Sequence, residues 1–403
     1  MHEYDESDRH LYFIFMCLQI MKMKQHLIIG YDAKRIVCNN TGLGNYSRNL
    51  VNSLATDNKD IEFRLYASSE GRRELREHIL PADNVKFVYP HSAHCRLQRD
   101  FWRTGGVVKD LLRDKVCLFH GLSGELPGGL NKAGIPGIVT IHDLIFFRHP
   151  EYYHWADVQI YKWKFFRTLK EAERIIAISE RTKQDIVEFG HFPADRIDVI
   201  YQGCNARFLQ SVTKEEKEKI KEKHHLPDHF LLCVGTIEER KNMLQVVKAL
   251  LRLPVDLHLV LIGRSTPYEE KIKEFIAAQD LITRVHILHR VSDQDLCAIY
   301  QQAECFVYPS RYEGFGIPIL EAIESQLPVV ATTGSCLEEA GGPDNLYVSP
   351  DDVEGLAEAI SKSLKGSDDR QRRILRSLEY VRRFENRSVA RQVLEEYSRL
   401  LNP

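Results

Sequence analysis

The strongest constraint on the fold is that short apolar runs alternate with helical segments, stop, and then begin again. The first series of strand-like runs covers residues 26–33, 62–68, 84–90, 115–121, 137–143, 174–179 and 196–203. The second series covers residues 230–236, 256–263, 284–289, 305–310 and 328–333. Alternating strands and helices of these lengths predict parallel sheets in a doubly wound α/β architecture.

The charged segment at residues 211–229 separates the two series. Because 403 residues exceed what one hydrophobic core usually fills, we predict two Rossmann-like domains that face each other across a cleft. We place an amino-terminal domain at 24–208 and a carboxy-terminal domain at 209–380. A helix at 381–403 is expected to pack back toward the first domain.

Composition excludes several classes of protein. A formal net charge of -2 argues against a dedicated nucleic-acid binder. The cysteines contain no C-x-x-C pair, so they indicate reduced thiols in a cytoplasmic protein. No apolar run approaches the roughly 20 residues of a membrane span. Residues 11–21 are apolar but follow an acidic segment, which makes a poor signal peptide. We expect translation to start at Met21 or Met23, with 1–23 a non-native or disordered extension.

The most specific motif is SRYEGFGIPILEAIESQLPVVATT, at residues 310–333. A strand is expected to end before it, a glycine loop follows, and Pro318 stands where a helix would begin. Free amides at such a helix start bind anions, and Gly314 and Gly316 allow a ligand to approach the backbone. The motif therefore predicts a phosphate site.

Two carboxylates, Glu313 and Glu321, flank this predicted phosphate site. Phosphates would repel them, so we expect them to accept hydrogen bonds from hydroxyls on either side of a pyrophosphate. Taken singly, Glu313 is explained equally well as a carboxylate on the loop surface. Glu321 is explained equally well as a favourable charge in a first helical turn. The glycines between them favour the binding role.

A second candidate phosphate site is VGTIEERKN, at residues 234–242. Arg240 and Lys241 could neutralise a pyrophosphate, the arginine by paired hydrogen bonds and the lysine as a point charge. Taken alone, this stretch is explained equally well as a solvated basic pair that opens a helix.

These stretches resemble the donor-binding half of a family 4 glycosyltransferase of the GT-B fold, whose E-x7-E spacing recurs in EGFGIPILE. The first half is similar to the same family at TGLGNYSRNL (41–50), IHDLIFFRHPEYY (141–153) and AERIIAISERTKQDI (172–186). The resemblance covers roughly residues 24–400. It implies a retaining transfer of a sugar from a nucleotide-diphosphate sugar bound between the two domains.

The resemblance also implies roles for residues of the second domain. Glu313 would contact the transferred sugar and Glu321 the ribose. Arg240 and Lys241 would hold the pyrophosphate and stabilise the departing nucleotide. The backbone amides that would meet sugar hydroxyls and phosphate belong to Gly314, Phe315, Gly316 and Ile317.

In the first domain, the resemblance implies that His142 faces the donor sugar. Gly44, together with Gly42, would touch its phosphate from the opposite side of the cleft. His142 alone would more often be an ordinary core or surface histidine, but its position at the end of a strand beside Asp143 favours function.

Two positions depart from the family pattern. Thr236 stands in the donor site where many relatives have an arginine, so the donor phosphates would depend more on Arg240 and Lys241. Gln326 replaces a glycine that is common after the next helix, and we interpret this as structural.

The glycines at 42–44 also invite a dinucleotide-binding interpretation. They lie about eleven residues after the apolar core of the first strand, whereas that fingerprint starts at the strand's end. Ser47 also stands where a third glycine or alanine belongs. We therefore predict that TGLGNYS forms a flexible lip opposite the main phosphate site.

The sequence predicts no required metal and no cofactor besides the nucleotide-sugar substrate. One D-x-D string, Asp293 to Asp295, follows Ser292, and the spacing fits a helix cap better than a metal site. Retention of configuration needs a covalent intermediate or same-face attack, and no nucleophile is recognisable. The resemblance favours same-face attack, in which the leaving phosphate helps to take the acceptor's proton.

Aromatic and basic segments at 96–115 and 152–170 belong to the domain that would hold the acceptor. Lipid-linked acceptors would place such surfaces at the inner face of the cell membrane. Core aromatics on helices with solvated basic faces are the favoured alternative, so peripheral membrane contact is a hypothesis.

We therefore predict a cytoplasmic, retaining, metal-independent hexosyltransferase. Mannose from GDP-mannose is the first donor candidate, and UDP-hexoses come next. The acceptor would be a glycan or a lipid-linked glycan in cell-surface polysaccharide or glycolipid synthesis. The alternatives are a nucleotide-sugar isomerase, a nicotinamide-dependent oxidoreductase, and a non-catalytic nucleotide-sugar-binding protein that would tolerate loss of Glu313.

Overall fold

The structure is a computed structural model that describes residues 27–91 and 95–401. The predicted start at Met21 or Met23 and the whole of the predicted extension therefore lie outside the described residues. Among the helices of these ranges, none is long and apolar enough to cross a membrane.

A seven-stranded parallel sheet organises the first half of the described chain, in the order β3-β2-β1-β4-β5-β6-β7. Its centre is almost fully buried, because β1, β4 and β5 are covered by helices on both faces, as parallel sheets require. The strands are β1 (Leu27–Asp32), β2 (Ile61–Tyr66), β3 (Val85–Val88), β4 (Leu118–Gly121), β5 (Gly137–Ile141), β6 (Arg174–Ala177) and β7 (Ile197–Val199).

The α-helices of this half connect successive strands. They are α1 (Lys34–Cys38), α2 (Gly42–Asp57), α3 (Arg73–Arg76), α4 (Arg96–Phe101), α5 (Val107–Arg113), α6 (Leu130–Ala133), α7 (Ile145–Arg148), α8 (Trp155–Glu171) and α9 (Glu180–Gly190). A π-helical turn at Trp102–Gly106 joins α4 to α5.

A six-stranded parallel sheet organises the second half, in the order β10-β9-β8-β11-β12-β13. The strands are β8 (Phe230–Val234), β9 (His258–Ile262), β10 (Val285–Leu288), β11 (Cys305–Tyr308), β12 (Val329–Thr332) and β13 (Leu346–Val348). Strand β13 was not predicted from the sequence, because its three half-buried residues are too few to form a recognisable hydrophobic pattern. The two parallel sheets confirm the predicted doubly wound α/β class.

The α-helices of the second half are α10 (Lys214–His224), α11 (Met243–Leu250), α12 (Tyr268–Ala278), α13 (Asp293–Tyr300), α14 (Ile317–Glu324), α15 (Leu337–Gly341), α16 (Val353–Ser361), α17 (Arg370–Val381) and α18 (Asn386–Leu401). The charged helix α10 buries none of its residues and begins with a capping box between Thr213 and Glu216. The turn after α14 places Gln326 at a φ of 61°, a left-handed conformation that explains why glycine suits this position.

Helix α18 ends the described chain on the first sheet rather than on the second. Val389, Val393 and Tyr397 are buried in the core that contains Ile29 of β1 and Leu118 of β4. Helix α18 also packs along α2. Helix α18 therefore contributes to the hydrophobic core around the first sheet.

Candidate active site

A cavity of 870 Å³ separates the carboxyl ends of the two sheets. The first half lines it with Tyr46, His142 and Asp143, among others, and the second half with a cluster of charged side chains. This is the position at which α/β folds bind ligands.

The charged cluster of the second half forms where two neighbouring strands end. Lys241 follows β8 and Glu313 follows β11, and these strands are paired in the sheet. One oxygen of Glu313, Oε1, lies 2.6 Å from Lys241 Nζ and 2.9 Å from Arg240 Nη1. The site therefore holds a carboxylate and two cations in direct contact, with each side chain no more than 15% exposed.

Electrostatics keep Glu313 ionised. Burial raises the pKa of its carboxyl, but the positive charges of Lys241 and Arg240 outweigh burial and hold the pKa at about 2. Nearby carboxylates raise the pKa of Arg240 against the effect of burial, so its guanidinium also stays charged. Arg240 in addition donates to the backbone carbonyl of Tyr312 at 2.6 Å, which fixes the loop before the glycines.

The glycine loop leads into α14, which begins at Ile317 with Pro318 in its first turn. Gly316 has a φ of 121°, a conformation that requires glycine. At Gly314 the reason for glycine is different, because a β-carbon there would lie 1.9 Å from the carbonyl oxygen of His142. From the sequence, we expected glycine here to allow a ligand to approach. Gly314 does line the cavity, but the close approach that requires glycine is made by the backbone of the first half.

Glu321 lies one turn further along α14 and lines the same cavity. Its Oε2 accepts a hydrogen bond from the Tyr300 hydroxyl at 3.1 Å. Burial raises the pKa of Glu321 to about 7, although the Tyr300 hydrogen bond opposes the shift. The two glutamates flanking the glycine loop are therefore in different states, since Glu313 is firmly ionised and Glu321 titrates near neutrality.

His142 follows β5 on the opposite wall and is held at both ring nitrogens. Its Nε2 lies 2.8 Å from the carbonyl oxygen of Leu122, so it must donate. Its Nδ1 lies 2.6 Å from the Gln202 amide nitrogen and accepts from it. Burial lowers the pKa of His142 to about 4, so the ring is neutral at physiological pH. Neither nitrogen is free to take a proton from a substrate.

The glycines at 42–44 form the first turn of α2 instead of the flexible lip that the sequence suggested. Gly42 and Thr41 line the cavity, whereas Gly44 does not. The N–H of Gly44 donates to Asn39 Oδ1 at 3.2 Å, and a β-carbon on Gly44 would lie 1.9 Å from the carbonyl oxygen of Asn39. The first turn of α2 therefore packs directly against the backbone of Asn39, which leaves no room for a side chain at position 44.

The D-x-D string caps a helix, as the sequence analysis favoured. The Ser292 hydroxyl accepts from the backbone N–H of Asp295 at the start of α13. The Asp295 carboxylate contacts Lys223 at 2.7 Å and His224 at 2.9 Å. Within residues 27–91 and 95–401, no group of three or more histidine, cysteine, aspartate or glutamate side chains could hold a metal ion.

Neither Arg264 nor Gln202 was predicted from the sequence, although both line the cavity. Arg264 follows β9 after one intervening glycine, is exposed, and shows no ion pair within the described part of the chain. Gln202 follows β7 and is buried against His142. A search for polar residues at the carboxyl ends of predicted strands would have found both. Thr236, which the family resemblance had already placed in the donor site, also lines the cavity.

Comparisons with known proteins match both halves to glycosyltransferase family models. A family model described as Glycosyltransferase Family 4 matches residues 40–208, and one described as Glycosyl transferases group 1 matches residues 214–377. The chain is a family 4 glycosyltransferase. Since the two models together cover most of the chain, the resemblance found in the sequence is confirmed.

Individual relatives agree with this assignment. The glycosyltransferase is 28% identical over 387 residues to the O-antigen chain mannosyltransferase B of Escherichia coli, covering 89% of this chain and 96% of the relative. It is 26% identical over 263 residues to the GDP-mannose:cellobiosyl-diphosphopolyprenol alpha-mannosyltransferase of Xanthomonas campestris, covering 62% of this chain and 66% of the relative.

A solved structure supports the GT-B fold. The crystal structure of Anabaena Alr3699/HepE in complex with UDP-glucose has a TM-score of 0.71 and 18% sequence identity to the glycosyltransferase. The match covers 93% of this chain and 100% of that chain. The fold of the two sheets is therefore that of GT-B glycosyltransferases.

The state of Glu321 leads to a pH prediction for donor binding. With a pKa of about 7, the carboxyl is ionised above that pH and would then accept hydrogen bonds from the ribose hydroxyls of the predicted donor, and this capacity weakens as the pH falls through 7. We expect the affinity for a nucleotide sugar to fall up to about tenfold between about pH 8 and pH 6. Isothermal titration calorimetry measures this, with an intact nucleotide sugar because its pyrophosphate keeps both charges in this range.

The matched control is Glu321→Gln, which keeps the shape of the side chain but cannot titrate. Its affinity should be weaker at pH 8 and nearly independent of pH. An equally steep pH dependence in Glu321→Gln would show that another group is responsible.

Proposed function

We propose that this glycosyltransferase moves a mannosyl group from GDP-mannose to a glycan or lipid-linked acceptor, with retention of the anomeric configuration. The product would belong to a cell-surface polysaccharide or glycolipid. The observation that carries the proposal is the buried contact of Glu313 with Lys241 and Arg240 beside the glycine loop. This arrangement suits a pyrophosphate next to a sugar.

The choice of mannose rests on the relatives. The Escherichia coli relative that matches over most of its length is named a mannosyltransferase, and the Xanthomonas campestris relative is named for GDP-mannose. UDP-hexoses are the second candidate donors, because the similar Anabaena protein was solved with UDP-glucose. The acceptor is chosen on the same basis, since these relatives are named for an O-antigen chain and a diphosphopolyprenol glycan.

The cations account for the proposed departure of the nucleotide. Arg240 and Lys241 would face the pyrophosphate and stabilise the charge that grows on it as the glycosidic bond breaks. The backbone N–H of Ile317, at the start of α14, adds the positive end of the helix dipole. Phosphate binding in this proposal therefore depends on the second domain.

The proposed reaction uses no nucleophile from the protein. The acceptor hydroxyl attacks the anomeric carbon on the face that the nucleotide leaves, and its proton moves to the departing phosphate oxygen. His142 is unsuited to act as the base because both of its ring nitrogens are engaged. Glu313 is paired with two cations and would accept a hydrogen bond from the sugar. Catalysis then rests on positioning and on charge stabilisation, without a required metal.

A donor panel tests this function. The protein is incubated with GDP-mannose and several UDP-hexoses, with and without glycan or polyprenol-linked acceptors, and release of free nucleotide is followed. We expect acceptor-dependent release that is fastest with GDP-mannose. Glu313→Ala should reduce kcat at least about a hundredfold, because it removes a sugar contact and the carboxylate that Lys241 and Arg240 share, leaving Arg240 paired with Glu238.

Three outcomes would contradict the proposal. Absence of release with every donor, together with unchanged donor affinity in Glu313→Ala, would indicate a non-catalytic binding protein. Conversion of the donor sugar without any acceptor would indicate an isomerase. Faster release from a UDP-hexose would overturn the choice of mannose.

A membrane-facing surface is also part of the proposal, at the cytoplasmic side where nucleotide sugars are made. The sequence analysis favoured core positions for the aromatics of α8, but Trp155, Trp163 and Phe166 are exposed. Their spacing puts them on one side of the helix. The Arg167 guanidinium lies 5.0 Å from the centre of the Trp163 ring, so basic and aromatic groups share the surface. Exposed aromatics beside cations suit a membrane with anionic lipids.

Vesicle sedimentation tests this surface. We expect the protein to pellet with vesicles that contain anionic phospholipid at low salt, and the double variant Trp155→Ser, Trp163→Ser to lose about tenfold in binding. Val255→Ser is the matched control, because Val255 is 83% exposed but belongs to the second half. A wild-type protein that ignores these vesicles, or a double variant that binds equally well, would contradict the membrane contact.

A further inference from the structure

A buried chain of hydrogen bonds connects helix α18 to the wall of the cavity. It runs from Tyr31 through Tyr397, His120 and Thr140 to Tyr46. Tyr397 comes from α18, His120 and Thr140 come from the neighbouring strands β4 and β5, and Tyr46 comes from α2. Each of the five side chains is at most 7% exposed. We call these five residues the buried chain.

The distances make the chain continuous. The hydroxyls of Tyr31 and Tyr397 are 3.0 Å apart, and Tyr397 Oη lies 2.6 Å from His120 Nδ1. On the other side of the ring, His120 Nε2 lies 2.8 Å from Thr140 Oγ1. The Thr140 hydroxyl lies 3.2 Å from the hydroxyl of Tyr46. The first three contacts have the lengths of ordinary hydrogen bonds, and the contact between Thr140 and Tyr46 is slightly longer.

His120 gives the chain a single direction. Burial lowers the pKa of His120 to about 3, so its ring is neutral, with one nitrogen donating and the other accepting. If Nδ1 accepts from Tyr397, Nε2 must donate to Thr140, and the reverse tautomer inverts both bonds. The orientations of the hydroxyls on the two sides of His120 are therefore linked.

The chain also carries more hydrogens than it has links. Four hydroxyls and one N–H supply five hydrogens for four contacts, so one hydroxyl hydrogen needs a partner elsewhere. Tyr31 is fully buried at one end, whereas Tyr46 lines the cavity at the other. An unpaired buried donor is costly, and the direction that leaves the extra hydrogen on Tyr46 allows it a partner in the cavity.

Tyr46 connects the chain to the donor-sugar wall. Its ring meets the ring of His142 edge-on, with centroids 4.9 Å apart and planes at 85°. Leu122 and Gln202 hold the two nitrogens of His142, so Tyr46 is a third support for this side chain. A displacement of Tyr46 would therefore move the surface that His142 presents to the cavity.

We propose that Tyr397, at the far end of the sequence, is a positioning residue for sugar transfer, acting through His120, Thr140 and Tyr46 on the His142 wall of the cleft. The inference rests on the proposed function, because it needs a transfer rate to measure. Nucleotide binding should not depend on the buried chain, since the proposed nucleotide contacts belong to the second domain.

The first test is Tyr397→Phe, which removes one hydroxyl and keeps the buried ring. We expect kcat to fall about tenfold, the donor KM to stay within about twofold, and nucleotide affinity to be unchanged, because misplacement of a wall impairs orientation in the transition state. Thr140→Val breaks the chain at a second point and should give the same pattern. Thr140→Ser keeps the hydroxyl and should restore kcat.

The matched control is Tyr66→Phe. Tyr66 ends β2 in the same sheet, is 2% exposed, and donates to Asp114 at 2.9 Å. Its hydroxyl takes no part in the hydrogen bonds of the buried chain. Its loss should lower the melting temperature and leave kcat unchanged. A folded Tyr397→Phe or Thr140→Val with wild-type kcat would overturn the inference, as would an equal loss of kcat in Tyr66→Phe. A wild-type protein with no transfer from any donor would instead contradict the proposed function.

Discussion

The rest of the structure depends on three charges buried together at the ends of two adjacent parallel strands. Because β8 and β11 are paired, Lys241 and Arg240 meet Glu313 across the sheet edge. Arg240 also donates a hydrogen bond to the carbonyl of Tyr312, which fixes the loop that carries Gly314. The first half then docks on this loop, where the Tyr312 hydroxyl contacts Asp185. Removing Glu313 would take away the carboxylate that both cations share and leave Arg240 paired with Glu238, at a cost of about 3–5 kcal/mol for the uncompensated charge of Lys241.

The same charges explain why the cleft suits a nucleotide sugar. In the proposed complex, the pyrophosphate brings two negative charges to Lys241 and Arg240, which already lie close together in a poorly solvated site. Charge interactions are stronger there than in water, and the groups need no rearrangement when the bond breaks. Glu313, released from one partner, can then accept a hydrogen bond from the sugar. In this proposal, a helix start and two cations would supply the charge stabilisation that a metal ion could otherwise provide.

Features with a local pattern could be predicted from the sequence, and those made by long-range contacts could not. The described strands other than β13, the start of α14 near its proline and the Ser292 cap follow from spacing within a few residues. The first turn of α2 was misjudged, because the approach of Asn39 that requires Gly44 is a tertiary contact. The buried chain left no signal, since Tyr397 and His120 are 277 residues apart in sequence. For the same reason, the sequence suggested His142 as a site residue but could not tell its protonation state.

The most direct test of the account is the anomeric configuration of the product. If the leaving phosphate takes the proton and the acceptor attacks on the same face, α-configured GDP-mannose must give an α-linked mannoside. The one-bond carbon–hydrogen coupling at the anomeric carbon, measured by NMR on product collected early in the reaction, distinguishes the two anomers. The account predicts the α-mannoside. A β-mannoside would require attack from the opposite face with a protein base, and the neutral, fully engaged His142 could not supply it.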